Sequence, residues 1–162
     1  MPNPPWWKNS RGELFVLCQF ALFALIIFGP RTLPGLSPWG EAARLAGRVG
    51  GGLLLATGLL LGLAGLLNLG RNLTPFITPK TGSVLLEQGA YRLVRHPIYS
   101  GLLQMAFGWG LWVGGVLTLA NALLLFLLFD RKARREEEIL RTVFPGYAAY
   151  ARRVRRLIPF IY

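Results

Sequence analysis

The residues best equipped for chemistry lie in one stretch, GAYRLVRHPIYSG, from Gly89 to Gly101. It holds the single histidine, His96, between Arg95 and Pro97, with Tyr99 three residues on. A guanidinium and an imidazole side by side can bind a carboxylate, and a phenol adds a donor and an aromatic face. Pro97 fixes its own φ and biases His96 away from helix, so the chain enters the apolar segment that follows at a set angle. A charged, proline-fixed turn at the mouth of an apolar helix is costly to build. The simplest reason to build one is a polar ligand held at a bilayer surface. The competing reading is an aromatic and basic belt that only anchors a helix end.

A second cluster is Glu136-Glu137-Glu138, placed after the last apolar segment. It reads equally as a solvated face paired with Arg134, Arg135 and Arg141, or as carboxylates that receive a ligand ammonium group. Other chemistries are missing from the sequence. There is no zinc-ligand spacing, no phosphate-binding loop and no GxGxxG dinucleotide loop. Ser100 stands near His96, but one turn into an apolar helix it is expected to bond back to its own backbone. One cysteine, Cys18, allows neither an internal disulfide nor a cysteine-rich metal cluster.

The elements that must position these residues are apolar helices. The chain has 162 residues, 53% of them hydrophobic, and reads as a single all-α membrane domain over residues 1–162. Leu14 to Phe28 is a retained first helix, with Trp6-Trp7 before it as an interfacial anchor. Val49 to Leu69 is long enough to span. Ile98 to Phe129 carries no charge, and as one helix it would run roughly 48 Å, well over a core of about 30 Å. Gly114-Gly115 divides it into a hairpin, Ile98 to Val113 and Val116 to Phe129. Four spans put the N-terminus, the Gly70–Pro97 loop and the C-terminal tail on one side. That side carries all but three (Arg31, Arg44 and Arg48) of the 18 lysines and arginines. The positive-inside rule makes it cytoplasmic, with both termini inside, in a prokaryotic inner membrane. The formal charge of +11 then suits an anionic membrane surface rather than nucleic acid. Past Asp130 the sequence predicts a charged helix, Arg131 to Val143, stopped by Pro145-Gly146. A second short helix, Tyr147 to Leu157, follows. GxxxG spacings at Gly58–Gly62 and Gly110–Gly114 favour close packing inside a monomer over a dimer contact.

Taken together, these residues resemble the membrane methyltransferases of the isoprenylcysteine carboxyl methyltransferase and phospholipid N-methyltransferase group. The resemblance rests on Gly89, Tyr91, Arg92, the RHPxYxG run from Arg95 to Gly101, Glu136-Glu137, Phe144, Tyr147, Tyr150 and Pro159. It covers about Leu85 to the C-terminus, the expected catalytic core. The chain departs from the pattern at Phe144-Pro145-Gly146, where Phe-Gly is usual, and at the third acid, Glu138. The resemblance implies S-adenosylmethionine as methyl donor, no metal, and an amphiphilic or lipid acceptor reached through the membrane. It implies a donor pocket shaped by Tyr91, Arg92, His96, Pro97, Tyr99 and Gly101, closed by Glu136 and Glu137. Arg95 and Glu137 are the expected catalytic groups, Arg95 holding either the donor carboxylate or an acidic acceptor. A nicotinamide-dependent reductase related to sterol reductases and a non-catalytic lipid-binding protein are the alternatives.

Overall fold

The computed structural model describes residues 12–35, 39–80 and 82–162. The expected Trp6-Trp7 anchor and residues 36–38 lie outside the described residues. Among those described, the regular elements are five α-helices: α1 (Glu13–Phe28), α2 (Glu41–Leu69), α3 (Pro97–Trp112), α4 (Val116–Val143) and α5 (Tyr147–Arg153). Short 3₁₀ turns follow α2 at Gly70–Asn72 and precede α3 at Gly89–Arg92.

Two helices outrun the apolar blocks that announce them. α2 begins at Glu41, well before Val49, because residues 41–48 are good helix formers and Glu41 sits at the positive N-terminal end of the helix dipole. With its terminal turn, Glu41 to Asn72, it is the one helix among the described residues long and apolar enough to cross a membrane by the usual length test. α4 runs unbroken through Asp130, so the apolar and charged halves expected separately form one rod of 28 residues. An Asp130–Arg134 ion pair at 2.8 Å, one turn apart, supports the helix where its composition changes.

The division at Gly114 is real. Gly114 takes φ +60, a left-handed helix end that glycine adopts without strain, and Gly115 N–H reaches the Gly110 carbonyl at 2.9 Å. The outer faces of α1 and α2 remain apolar and exposed, with Phe20, Phe28, Leu53, Leu60 and Leu67 all open. An apolar surface of that extent suits lipid better than water.

Close packing of α2 on α3 comes from glycine. Gly51, Gly58 and Gly65 recur every seven residues on the buried face of α2. They meet Gly108, Gly101 and Pro97 in turn. A Cβ on Gly101 would lie 2.5 Å from the Gly58 carbonyl oxygen, so the backbones touch there. In lipid, where apolar burial drives little, such contact supplies the dispersion that holds helices together. Both GxxxG pairs are thus used inside this chain, since Gly110 faces Leu119 of α4. α1 lies on α4 instead, with Phe23 edge-on to Phe129 at 6.3 Å.

The C-terminal helix is shorter than its periodicity implies. Val154 leaves helical geometry, and Val94 and Arg155 form a parallel bridge. Arg95 N–H donates to the Arg155 carbonyl at 2.8 Å, and His96 N–H to that of Arg156 at 3.2 Å. These bonds satisfy amides that would otherwise be buried and unpaired at the entry to α3.

Candidate functional site

The Gly89–Gly101 stretch is pinned from three directions. Asn68, at the end of α2, accepts a bond from Ala90 N–H at 2.8 Å. Gly89 passes beside it with φ +59, where any side chain would meet the Asn68 amide. Tyr150 of α5 donates its hydroxyl to the Tyr91 carbonyl at 2.7 Å. Ser100 bonds back to the His96 carbonyl at 3.0 Å, as its position in the helix predicts, and also reaches the Leu157 carbonyl at 2.6 Å.

Within this frame the acidic pair of α4 is split. Glu137 is buried among three cationic or protonatable partners. Arg95 donates to it from Nε at 2.8 Å and from Nη2 at 3.1 Å. Arg156 donates at 3.1 and 3.2 Å. His96 Nε2 lies 3.2 Å away. Burial pushes the Glu137 pKa up, but the bonds from His96, Arg156 and Arg95 outweigh it and hold the carboxyl well below the usual range. Arg95 also donates to the carbonyls of Ala151 and Val154. The cluster therefore ties α4, the turn before α3 and the C-terminal segment into one unit.

Glu136 turns the other way, into a cavity of about 300 Å³. It accepts the Tyr99 hydroxyl at 3.0 Å, and His96 Nδ1 lies 3.8 Å from it. His96 lies flat against Tyr99 at 5.3 Å, and Tyr99 stacks on Phe129 at 4.7 Å. Lys132 completes this wall, with its ammonium 5.2 Å from the centre of the Tyr99 ring. The opposite wall is apolar and comes from the loop after α2, including Phe76, Ile77, Val84 and Leu85, with Phe144 closing one end. Tyr91, Tyr147 and Tyr150 also line it, and burial pushes all three phenols up. The Tyr147 hydroxyl is buried with no hydrogen-bond partner among the described residues.

Of the residues expected to shape a donor pocket, the structure gathers Tyr91, His96, Tyr99 and Glu136 on the cavity wall, together with Arg95. It puts four others elsewhere. Arg92 is exposed and off the cavity. Pro97 packs on Gly65, and Gly101 is consumed by the crossing with α2. Glu137 sits behind the wall in the ion cluster. Glu138, the third acid, is exposed.

Three contributors escaped the sequence reading. Lys132 lies one helical turn before Glu136, a spacing that could have flagged it. Gln19 is the only carboxamide in the apolar run of α1, and it bonds Lys132 Nζ at 2.7 Å. A polar residue inside an apolar helix is itself a signal. Arg156 is one of four arginines near the C-terminus that no motif singles out, yet it bonds both Glu137 and Asp130.

Comparison with known proteins follows the same core. A family model described as phospholipid methyltransferase matches residues 46–146. Probable protein-S-isoprenylcysteine O-methyltransferases of Oryza sativa, subspecies indica and japonica, are each 40% identical over 79 residues, 48% of this chain and 41% of theirs. The Delta(14)-sterol reductase TM7SF2 of Mus musculus is 38% identical over 90 residues, 53% of this chain and 22% of its own length. The cobalt-zinc-cadmium resistance protein CzcN of Cupriavidus metallidurans is 35% identical over 89 residues, 52% of this chain and 39% of its own. The matched stretch thus spans about two fifths or less of each of these relatives.

Proposed function

The chain belongs to the phospholipid methyltransferase family, and from that premise we propose that it transfers a methyl group from S-adenosylmethionine to a lipid-like acceptor at the cytosolic face of a prokaryotic inner membrane. The observation that carries the reading is the cavity itself. It joins a charged wall, Glu136 with His96 and Tyr99, to an apolar wall. A zwitterionic donor with a heteroaromatic base has the groups these walls lack.

Bound there, the donor would supply a methyl already activated on a sulfonium sulfur. The chain's own part is alignment, which in favourable cases provides several kcal/mol of a barrier. Glu136 has one carboxylate oxygen bonded to Tyr99 and the other open to receive an ammonium group. His96, on the same wall, can take a carboxylate or ribose oxygen. Phe76, Leu85 and Phe144 offer the apolar surface that a base requires. Arg95, on the wall, and Glu137, behind it, act as positioning residues. A cavity walled by Ile98 and Leu102 of α3 also admits an acceptor whose tail stays in hydrocarbon. In this reading α1, α2 and the α3–α4 hairpin all cross the bilayer, with both termini inside. Fusion reporters at each end would then give the same cytoplasmic signal.

Thermal unfolding in nonionic detergent tests the donor. S-adenosylhomocysteine at millimolar concentration should raise the Tm of the wild type, since a ligand of the folded state stabilises it by mass action. The Glu136→Gln variant should respond much less. A folded protein that ignores S-adenosylhomocysteine and responds to NADPH would move the assignment to the reductase reading, which the sterol reductase match keeps in view.

A further inference from the structure

Away from the cavity, residues 157–162 form a turn that shows apolar side chains to the outside where the uncharged stretch of α4 ends. Phe160 is 81% exposed and Ile161 75% exposed. Phe160 takes φ +66, the one positive φ on a residue other than glycine among the described residues. A bulky side chain holds that geometry only when its surroundings impose it. Here the Leu157 and Ile158 N–H groups both donate to the Tyr162 carbonyl, at 2.7 and 2.8 Å, and Tyr162 N–H donates to the Ile158 carbonyl at 3.0 Å. The turn is thus built to display Phe160 rather than bury it. Tyr162 fixes its depth. Its ring lies 6.4 Å from that of Phe126, inside the uncharged stretch, and its hydroxyl donates at 2.9 Å to Asp130, the first charge beyond it. An apolar ring with a polar tip at such a boundary marks a membrane interface. Arg152 and Arg155 precede the turn. Both are exposed and, unlike Arg153 with Glu87 and Arg156 with Glu137, make no ion pair among the described residues.

We propose that this turn is a docking surface for anionic phospholipid, with Phe160 and Ile161 among the acyl chains and Arg152 and Arg155 at the phosphates. The proposal takes the chain as membrane-spanning and needs neither the donor nor methyl transfer. The two apolar side chains favour any bilayer, whereas the two guanidinium groups favour an anionic one. A guanidinium fork also matches phosphate oxygens in pairs, which suits phosphates held in a plane. A soluble partner would have to cover the turn at the height where Tyr162 straddles the apolar boundary, and that space belongs to lipid. The contact reaches the site, because the same segment holds the site together. Arg156 bonds Glu137 and Asp130. The Leu157 carbonyl accepts the Ser100 hydroxyl at 2.6 Å, and the carbonyls of Arg155 and Arg156 accept the amides of Arg95 and His96. A lipid that binds the folded turn therefore stabilises the ion cluster behind it.

Label depth and lipid-dependent unfolding test this without any donor. Phe160→Cys and Arg141→Cys, each on a Cys18→Ser background, are spin-labelled and reconstituted in bilayers of phosphatidylcholine with phosphatidylglycerol. Arg141 is exposed and about 16 Å further along α4 than Asp130, so its label reports water. The label at 160 should be open to oxygen and shielded from a water-soluble nickel chelate, and the label at 141 the reverse. In nanodiscs, phosphatidylglycerol should raise the wild-type Tm above its value in phosphatidylcholine alone. In detergent titrations phosphatidylglycerol should bind the Arg152→Gln, Arg155→Gln double variant roughly 25-fold more weakly than the wild type, about fivefold for each arginine. The corresponding double lysine variant should keep most of the affinity. Phe160→Asn, which tolerates the left-handed turn, should match the wild type in detergent and gain less Tm from the bilayer. The proposal is overturned if the label at 160 is as open to nickel as that at 141, or if phosphatidylglycerol gives no gain in Tm. It is equally overturned if inorganic phosphate added to phosphatidylcholine gives the same gain, or if the double glutamine variant binds phosphatidylglycerol as tightly as the wild type. None of these measurements involves S-adenosylhomocysteine, so their failure leaves the methyl-transfer reading to its own test.

Discussion

Glu136 and Glu137 are neighbours in sequence, yet neutralising them should have opposite consequences. Glu137 is 2% exposed and accepts two bonds from each of two arginines, as well as facing His96 Nε2. Glu137→Gln keeps the shape but removes the charge. Arg95, with its side chain 9% exposed, is left with carbonyl partners only. Breaking a buried pair by neutralising one member costs about 3–5 kcal/mol. For a chain of this size that is roughly 6–20 °C in Tm. Glu136 is more open and accepts one bond, from Tyr99, so Glu136→Gln should cost about 1 kcal/mol or less. It should instead weaken S-adenosylhomocysteine binding by roughly 10- to 150-fold, the loss of a charge-assisted bond. Thermal unfolding and calorimetry on both variants at pH 7.5 measure the two effects. A Glu137→Gln protein as stable as the wild type but deficient in binding would refute this division. It would return Glu137 to the cavity, where the family resemblance had put it.

Three further outcomes follow from the geometry. Gly101→Ala should destabilise the protein by about 1–3 kcal/mol, since its Cβ would press on the backbone of Gly58 and Gly62. Gly50→Ala, with nothing within 4 Å, should be neutral or stabilising by up to about 1 kcal/mol, so equal Tm values for the two variants would contradict the packing described. Acid should act through Glu137. Its folded pKa is depressed, so the stability it contributes is present above about pH 4.5 and is lost as pH falls toward the folded value. The fall in Tm below pH 4.5 should be shallower in Glu137→Gln, and parallel profiles would assign it to other groups. Lys132 has the opposite sign. Its folded pKa of about 8 lies below the ordinary 10.5, so stability should rise with pH from about 8 toward 10. Lys132→Met should raise Tm at pH 7 and remove that rise, and a lower Tm would mean that the lysine stabilises the fold.

The sequence was most informative where chain chemistry is local. Pro97 marks the start of α3, and Gly114-Gly115 marks the turn between α3 and α4, because each imposes its own backbone geometry. Element ends set by tertiary contacts were less legible. α5 stops at Arg153 because residues 154–156 pair with the RHP turn, a partner about sixty residues away that no local period reveals. The candidate site divides in the same way. His96 and Tyr99 stood out by residue type and spacing, and Glu136 through the family resemblance. The retirement of Glu137 into an ion cluster was not legible, because it depends on Arg156 arriving from the C-terminal segment. Nor was the pairing of Lys132 with Gln19, which needs α1 to lie against α4.

The placement of the charged groups explains why such a site can exist beside lipid at all. Asp130, Lys132, Glu136 and Glu137 all follow Phe129, so the charges of α4 begin where its uncharged stretch ends. Each ionised carboxylate turned inward meets a donor of its own: Arg156 and Tyr162 for Asp130, Tyr99 for Glu136, and Arg95 with Arg156 for Glu137. Charges satisfied in this way cost far less to bury than isolated ones. Helix periodicity then does the sorting. Lys132 and Glu136 are one turn apart and share the cavity face, whereas Glu137, about 100° further round the helix, faces the arginines. Because the run is three glutamates long, a shift of one residue in either direction still leaves a glutamate at 137, so the counter-ion of Arg95 and Arg156 is kept. What stays incomplete at the cavity after that sorting is the second oxygen of Glu136 and the Lys132 ammonium, whose one hydrogen-bond partner among the described residues is the neutral Gln19.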